Sequence, residues 1–139
     1  MKVSRVILIL GVLILTQVSC RRNQDQVPLV AVDFYININE PSNFNLQTIT
    51  GHETYIGGSL GILVYRNSPD EFTAYDRHSP YDVDAACQVE VLDDNTIVED
   101  PCSGSQWVIT DGTVIQGPAG ANLQQYNTSF NDPILHVYN

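Results

Sequence analysis

Short runs of β-branched and aromatic residues, separated by turn formers, dominate the chain from Val30 onward. The runs lie at 30–38, 61–65, 71–75, 89–92, 96–98, 106–110, 113–116 and 134–138. Turn-forming stretches such as 67–70 (NSPD) and 111–112 (DG) separate them. No window shows a sustained helical period. The sequence therefore predicts one all-β domain of short antiparallel strands.

The first 19 residues have the features of a secretory signal. Lys2 and Arg5 precede a run without charged side chains at 6–16. This run is too short for a transmembrane helix, which needs about 20 apolar residues. Residues 17–20 (QVSC) resemble a bacterial lipobox, in which the cysteine receives lipid and becomes the mature N terminus, although Gln17 replaces the usual aliphatic residue. An ordinary cleaved signal and an uncleaved anchor are the alternatives.

This resemblance divides the chain into three parts and predicts the location of the protein in the cell. We predict a lipoprotein signal peptide at 1–19, lipidated Cys20 with a polar tether at 20–29, and a β domain at 30–139. Arg21 follows the cysteine where lipoproteins kept at the inner membrane usually carry aspartate. The resemblance thus implies an exported protein anchored in the bacterial cell envelope, with the outer membrane favoured over the inner membrane.

The mature chain would be strongly acidic. After a cut before Cys20, four arginines remain against 16 acidic residues, which gives a net charge of -12. Nucleic acid and anionic lipid headgroups would be repelled by this charge, so nucleic acid is excluded as a partner and membrane contact is expected through the N-terminal lipid. The acidic residues otherwise keep an exported domain soluble.

The order of the later segments is similar to that of a known family. Residues 62–67 (ILVYRN), 71–80 (EFTAYDRHSP), 99–107 (EDPCSGSQW), 117–119 (GPA) and 134–137 (ILHV) follow one another as in the Rieske iron-sulfur domain. The likeness covers roughly 55–139. It implies a Rieske-like fold of short antiparallel strands with two loops at one tip.

The same resemblance identifies the positions of the cluster ligands. A Rieske 2Fe-2S cluster is held by two cysteine thiolates and two histidine imidazoles. At the matching positions this chain has Asp76, His78, Asp100 and Ser103, so three of the four ligands are missing and His78 is the residual one. We therefore expect no 2Fe-2S cluster and no other cofactor.

Cys102 matches the second, non-ligand cysteine of the family, which joins the two loops by a disulfide in many members. The resemblance, together with an oxidising exported compartment, implies that Cys102 pairs with Cys87. Two free buried thiols and a reactive redox pair are the alternatives.

The residual histidine, His78, can be interpreted in three ways. A histidine in such a loop is most often a surface or capping residue. Asp76, His78 and Asp100 could instead form a divalent metal site for zinc or iron, since carboxylates and imidazole ligate both. A calcium site is a third possibility, from nearby acidic residues without EF-hand spacing: Asp82, Asp84, Asp93, Asp94 and Glu99.

No catalytic residue is predicted, because Ser103 and Ser105 lie outside any nucleophile elbow and His78 has no identifiable orienting partner beyond Asp76. The chain is interpreted as a binding or structural module with an unidentified envelope protein as partner. The alternative is a metalloprotein, either a Rieske-type electron-transfer protein or a rebuilt Asp/His site. Tyr75, Tyr81 and Trp107 are candidates for a recognition patch, or for the core.

Overall fold

The computed structural model describes residues 26–139. The signal peptide at 1–19 and the lipidation site at Cys20 lie outside the described residues, as does most of the tether. Val27, which the sequence places in the tether, is buried with 6% of its surface exposed. Within residues 26–139, no helix is both long enough and apolar enough to cross a membrane.

Ten strands and two short 3-10 helices make up the domain. The helices are Pro41–Gln47 and Val83–Ala85. In chain order, the strands are β1 Asp33–Asn37, β2 His52–Tyr55, β3 Ile62–Arg66, β4 Phe72–Asp76, β5 Glu90–Val91, β6 Ile97–Glu99, β7 Gln106–Val108, β8 Val114–Gln116, β9 Gln125–Asn131 and β10 Ile134–Tyr138.

The strands form two antiparallel sheets. The larger has the order β1-β10-β9-β4-β3-β2, and the smaller has the order β5-β6-β7-β8. The prediction of an all-β fold of short antiparallel strands is therefore confirmed.

The two edges of the larger sheet approach each other. The rings of Phe34 on β1 and Tyr55 on β2 have centroids 5.7 Å apart. Between these edges, Asn43 of the first 3-10 helix donates a hydrogen bond to the carbonyl of Asn37 at 2.8 Å and accepts one from the Tyr55 hydroxyl at 2.9 Å. The helix thus bridges the two edges, and its Leu46 is fully buried among the apolar side chains of the curved sheet.

A second core lies between the two sheets, because β3 and β4 are buried on both faces. Tyr75 of β4 packs in a cluster with Trp107 of β7, and both side chains are fully buried. The indole nitrogen of Trp107 donates to the carbonyl of Ala121 at 2.9 Å. These two aromatics therefore belong to the core, whereas Tyr81 is partly exposed.

The larger sheet has both described chain ends at one end. The loop that follows β4 lies at the same end. β4 ends there next to the start of β9, since Tyr75 pairs with Gln125. The start of β1 pairs with the end of β10, and the amide of Asn139 donates to the carbonyl of Val32. We call this the two-loop end, and the opposite end, where β9 turns into β10, the far end.

The burial of Leu46 gives a test of the edge bridge. Leu46→Ala should lower the free energy of unfolding by about 2 to 5 kcal/mol, because it leaves a cavity in the curved sheet. Phe44→Ala in the same 3-10 helix, where the side chain is exposed, should change it by less than about 0.5 kcal/mol. Chemical denaturation of both variants measures the difference, and equal losses would contradict the assigned role of Leu46.

Candidate functional site

Two loops meet at the two-loop end, and together with the last residue of β4 they carry all four ligand-equivalent residues. The first tip loop follows β4 and contains His78 and Cys87. The second tip loop joins β6 to β7 and contains Cys102. The sulfur atoms of Cys87 and Cys102 lie at disulfide-bonding distance, with their Cα atoms 6.3 Å apart. This geometry supports the disulfide that the resemblance implied.

Asp76, at the end of β4, is fully buried and accepts four hydrogen bonds. One carboxylate oxygen accepts from the Ser59 amide at 2.6 Å and the Tyr126 hydroxyl at 2.7 Å. The other accepts from the amides of Leu60 at 3.2 Å and His78 at 2.8 Å. These bonds join β4 to the 57–61 loop, the first tip loop and β9, so both carboxylate oxygens are already used within the protein.

The surroundings of Asp76 are adapted to a carboxylate. Burial raises the pKa of Tyr126, and the hydrogen bond and negative charge of Asp76 raise it further, so this hydroxyl stays a donor. Gly58 has a φ of 60°, and a Cβ atom there would collide with the Asp76 carboxylate and the Tyr126 hydroxyl. The 57–61 loop can therefore close over Asp76 because residue 58 is glycine.

His78 is also buried, and both of its ring nitrogens have partners. Nε2 lies 2.8 Å from the carbonyl oxygen of Val83, and Nδ1 lies 2.8 Å from the hydroxyl of Ser59. Because a carbonyl can only accept, Nε2 carries the proton, and in the neutral ring Nδ1 accepts from Ser59. Neither nitrogen is free to bind a metal unless one of these hydrogen bonds breaks.

Asp100, in the second loop, is buried and accepts three hydrogen bonds. The Cys102 amide donates to one carboxylate oxygen at 2.8 Å, and the hydroxyls of Ser79 and Ser103 donate to the other at 2.8 and 2.7 Å. Burial works to raise the pKa of Asp100, but the bonds from Ser103, Ser79 and the loop amides outweigh it and hold the pKa below its ordinary value of 3.8. The bond from Ser79 also ties the two tip loops together.

Ser103 belongs to the same network. Its hydroxyl oxygen lies 2.9 Å from that of Ser105, which in turn accepts a hydrogen bond from the amide of Ala119 at 2.9 Å. Ser105 is fully buried. The second loop is thereby joined to the turn at 117–119, which was among the sequence segments that resembled the Rieske domain.

Within residues 26–139, the structure does not bring together the residues of the metal sites that the sequence suggested. Within residues 26–139, Cys87, Asp100 and Cys102 are the three potential ligands whose donor atoms lie within 4.8 Å of one another. Asp76 and His78 are not part of that group, and neither are the acidic residues considered for calcium: Asp82, Asp84, Asp93, Asp94 and Glu99. The two sulfur atoms of the group are joined to each other and are not free thiolates.

A 2Fe-2S cluster does not fit the donors of these two loops. The cluster needs two thiolates and two imidazoles with free lone pairs. At the matching positions, two carboxylates and a hydroxyl replace three of these ligands, and the histidine bonds through both nitrogens. Hard oxygen donors are poor substitutes for thiolates, and here they are already hydrogen-bonded within the fold.

Sequence reasoning missed several residues of this network, chiefly Ser59, Ser79 and Tyr126. Their partners are 17 to 50 residues away along the chain. The glycine pair at 57–58 signalled a tight loop, but it carried no information about which side chain that loop would cover.

Removal of the disulfide tests its contribution to the two-loop end. The double variant Cys87→Ala and Cys102→Ala should lower the free energy of unfolding by about 2 to 5 kcal/mol, the usual range for a native bridge in a small secreted domain. Non-reducing mass spectrometry of the unaltered exported protein provides the control. Free thiols at both positions would contradict the assignment.

The lowered pKa of Asp100 predicts a pH dependence of stability. A carboxyl whose pKa is lower in the folded state stabilises the fold above its unfolded pKa, and this stabilisation is lost as the pH falls through the folded pKa. Compared with Asp100→Asn, the unaltered protein should therefore be more stable near pH 7 and lose that advantage below about pH 4. Thermal unfolding of both proteins across this range measures the effect, and parallel pH profiles would refute it.

The fold of this chain is similar to that of several solved structures. The Rieske protein PetC3 from the cyanobacterial plasma membrane of Synechocystis PCC 6803 superimposes with a TM-score of 0.58 and 20% sequence identity, covering 75% of this chain and 99% of that chain. A ferredoxin of Sphingomonas yanoikuyae B1 gives a TM-score of 0.48 with 19% identity, covering 68% of this chain and 93% of its own.

Sequence comparison is less informative, since no protein-family profile and no curated protein matches the chain. The assignment of the fold rests on the superposition with the cyanobacterial protein and on the two-loop arrangement described above. The domain at 26–139 has the fold of a Rieske domain, as the sequence resemblance predicted.

Proposed function

We propose that this protein is a Rieske-like domain that has lost its 2Fe-2S cluster, is held in the cell envelope by a lipid on Cys20, and serves as a binding or structural module. The observation that supports the loss is the hydrogen bonding at the two-loop end. All four ligand-equivalent side chains are used within the protein: Asp76, His78, Asp100 and Ser103.

The hydrogen bonds of this network stabilise the two loops in the arrangement seen here. A hydrogen bond to a charged group contributes about 1.5 to 3 kcal/mol, and leaving a buried carboxylate without its donors is more costly still. The carboxylates of Asp76 and Asp100 accept seven hydrogen bonds between them. A metal would have to displace several of these donors, so we propose that the tip is a rigid hydrogen-bonded surface and not a metal centre.

Two features support a location outside the cytoplasm. Disulfides persist in oxidising compartments, and the sulfur atoms of Cys87 and Cys102 are at disulfide distance. The charged and apolar pattern of the first 19 residues is that of a secretory signal, and Cys20 lies where a lipoprotein is acylated. An acyl chain provides membrane attachment to a domain whose net charge would repel anionic headgroups.

Metal analysis tests the loss of the cluster. The full chain, purified after co-expression with iron-sulfur assembly machinery, should be colourless, contain no stoichiometric iron or acid-labile sulfide, and give no Rieske-type paramagnetic signal after reduction, because its donors do not match the cluster. About two irons and two sulfides per chain would overturn the proposal and would support the alternative, a Rieske-type electron-transfer protein.

Lipid labelling tests the anchor separately. Labelled fatty acid should enter the unaltered protein and not Cys20→Ala, and this variant should leave the membrane fraction. Cys102→Ala is a matched control, since it removes a cysteine from the folded domain and should still be labelled. Equal labelling of the unaltered protein and Cys20→Ala would refute lipidation at this residue.

A further inference from the structure

An open groove of about 480 Å³ lies beside the 57–61 loop. Its lining comes from three segments: the end of β2 with Thr54 and Tyr55, the loop itself, and the first tip loop with Arg77 and Gln88. None of the four ligand-equivalent side chains lines this space. We call it the Arg77 groove, and it is a feature separate from the ligand-equivalent positions.

Arg77 supplies the positive charge of this groove, and hydrogen bonds hold it on both sides. Its amide donates to the carbonyl of Gly61 at 2.8 Å, and its carbonyl accepts from the amide of Val89 at 2.7 Å. The Nε atom of its side chain donates to the carbonyl of Val89 at 3.2 Å. These bonds position the guanidinium before any ligand arrives, which lowers the entropic cost of binding.

The two terminal nitrogens of Arg77 have no protein partner in the part of the chain that the structure describes. No acceptor bonds to them there, and no carboxylate forms an ion pair with the guanidinium. Arg66 is the other lysine or arginine of this part, and all three of its guanidinium nitrogens donate to backbone carbonyls, those of residues 46, 47, 68 and 69. The fold therefore uses Arg66 for its own structure, whereas Arg77 keeps two donors for a ligand.

Two other grooves in residues 26–139 lack this feature. One, of about 300 Å³ at the far end, has Asp70 and Glu71 in its lining and no basic residue. The other, of about 260 Å³, is lined by residues 26–27, 29, 80 and 121–125 and has no charged residue. The free guanidinium thus distinguishes the Arg77 groove from both of them.

A singly charged carboxylate fits these two donors best. Parallel N–H groups of a guanidinium match the two oxygens of a carboxylate and bind it through two hydrogen bonds. Phosphate has similar oxygens but carries more charge. The chain has six basic against 16 acidic residues, and the carboxylate of Asp76 accepts from two amides of the 57–61 loop, so each further negative charge on a ligand adds repulsion.

The rest of the lining suits a short apolar group beside the carboxylate. The side chain of Ile56 lines the groove and is fully exposed. Gly57, Gly58 and Gly61 also line it, and because they lack side chains they leave room for a ligand close to the backbone. Burial of part of Ile56 against an apolar group would remove apolar surface from water.

We propose that the Arg77 groove binds a small monocarboxylate with a short apolar part. The two terminal nitrogens of Arg77 hold the carboxylate, and the apolar part lies against Ile56. This inference goes beyond the proposed function, since it requires neither the lipid on Cys20 nor the loss of the cluster.

Titration of the full chain in detergent, followed by nuclear magnetic resonance, tests the site. The probes are isovalerate, its uncharged amide isovaleramide, and inorganic phosphate. Isovalerate should shift the amide signals of Gly57, Gly58 and Gly61 with a dissociation constant on the order of 1 mM, as expected for one charge-assisted pair and a small apolar contact in an open groove. Isovaleramide and phosphate should each bind severalfold more weakly.

Substitution of Arg77 tests the role of its guanidinium. Arg77→Gln removes the charge, and the affinity for isovalerate should fall about tenfold. Arg77→Lys keeps the charge without the two parallel donors and should give a smaller loss. The matched control is Asn131→Asp, which makes the same change in net charge at an exposed position of the far end and should leave the affinity unchanged.

Ile56→Ser is a second test that does not depend on how Arg77 supports the fold, because the side chain of Ile56 is fully exposed. This variant should bind isovalerate severalfold more weakly and acetate, which lacks the isobutyl group, as well as the unaltered protein does.

Several results would overturn the proposal. They are equal binding of isovalerate and isovaleramide, tighter binding of phosphate, an unchanged affinity in Arg77→Gln, and equal losses in Arg77→Gln and Asn131→Asp. Signal shifts confined to other parts of the domain, or no shifts at all, would also overturn it. Iron and sulfide analysis and lipid labelling test the proposed function independently of these results.

Discussion

The buried carboxylate of Asp76 is the point on which the two-loop end depends. Its four donors come from the 57–61 loop, the first tip loop and β9, three segments that are distant in sequence. A buried carboxylate is tolerated only where such donors replace water. The fold therefore orders these segments around one side chain, at a position that the sequence resemblance matches to a cluster cysteine.

Replacement of a thiolate by a carboxylate changes what the surrounding structure must supply. A cluster ligand directs its sulfur toward iron, whereas Asp76 and Asp100 direct their oxygens toward protein donors. The ring of His78 is likewise engaged within the protein, because Ser59 and Val83 occupy both of its nitrogens. The two loops remain joined by the disulfide and by the bond from Ser79 to Asp100. The disulfide and this hydrogen bond hold the two loops together at the tip.

Much of the fold could be predicted from local pattern. The run at 134–138 coincides with β10, and eight of the ten strands overlap a predicted run. The two missed strands show the limit of this method. Glu53 and Thr54 of β2 are polar, and most of β9 is polar as well, although its Tyr126 and Phe130 face the core. Such segments become strands because their neighbours offer a backbone to pair with, and this depends on tertiary structure.

The sequence by itself determined the class of fold and the family likeness of the two loops, and it predicted that cluster ligands are missing, because strand propensity and residue type are local properties. Tertiary structure alone decided which donors satisfy Asp76 and Asp100, that Tyr75 and Trp107 are core residues, and that the chain enters at the two-loop end. Each of these depends on contacts between residues far apart in the chain. Hydrogen bonding and burial are set by such contacts, and no local pattern encodes them.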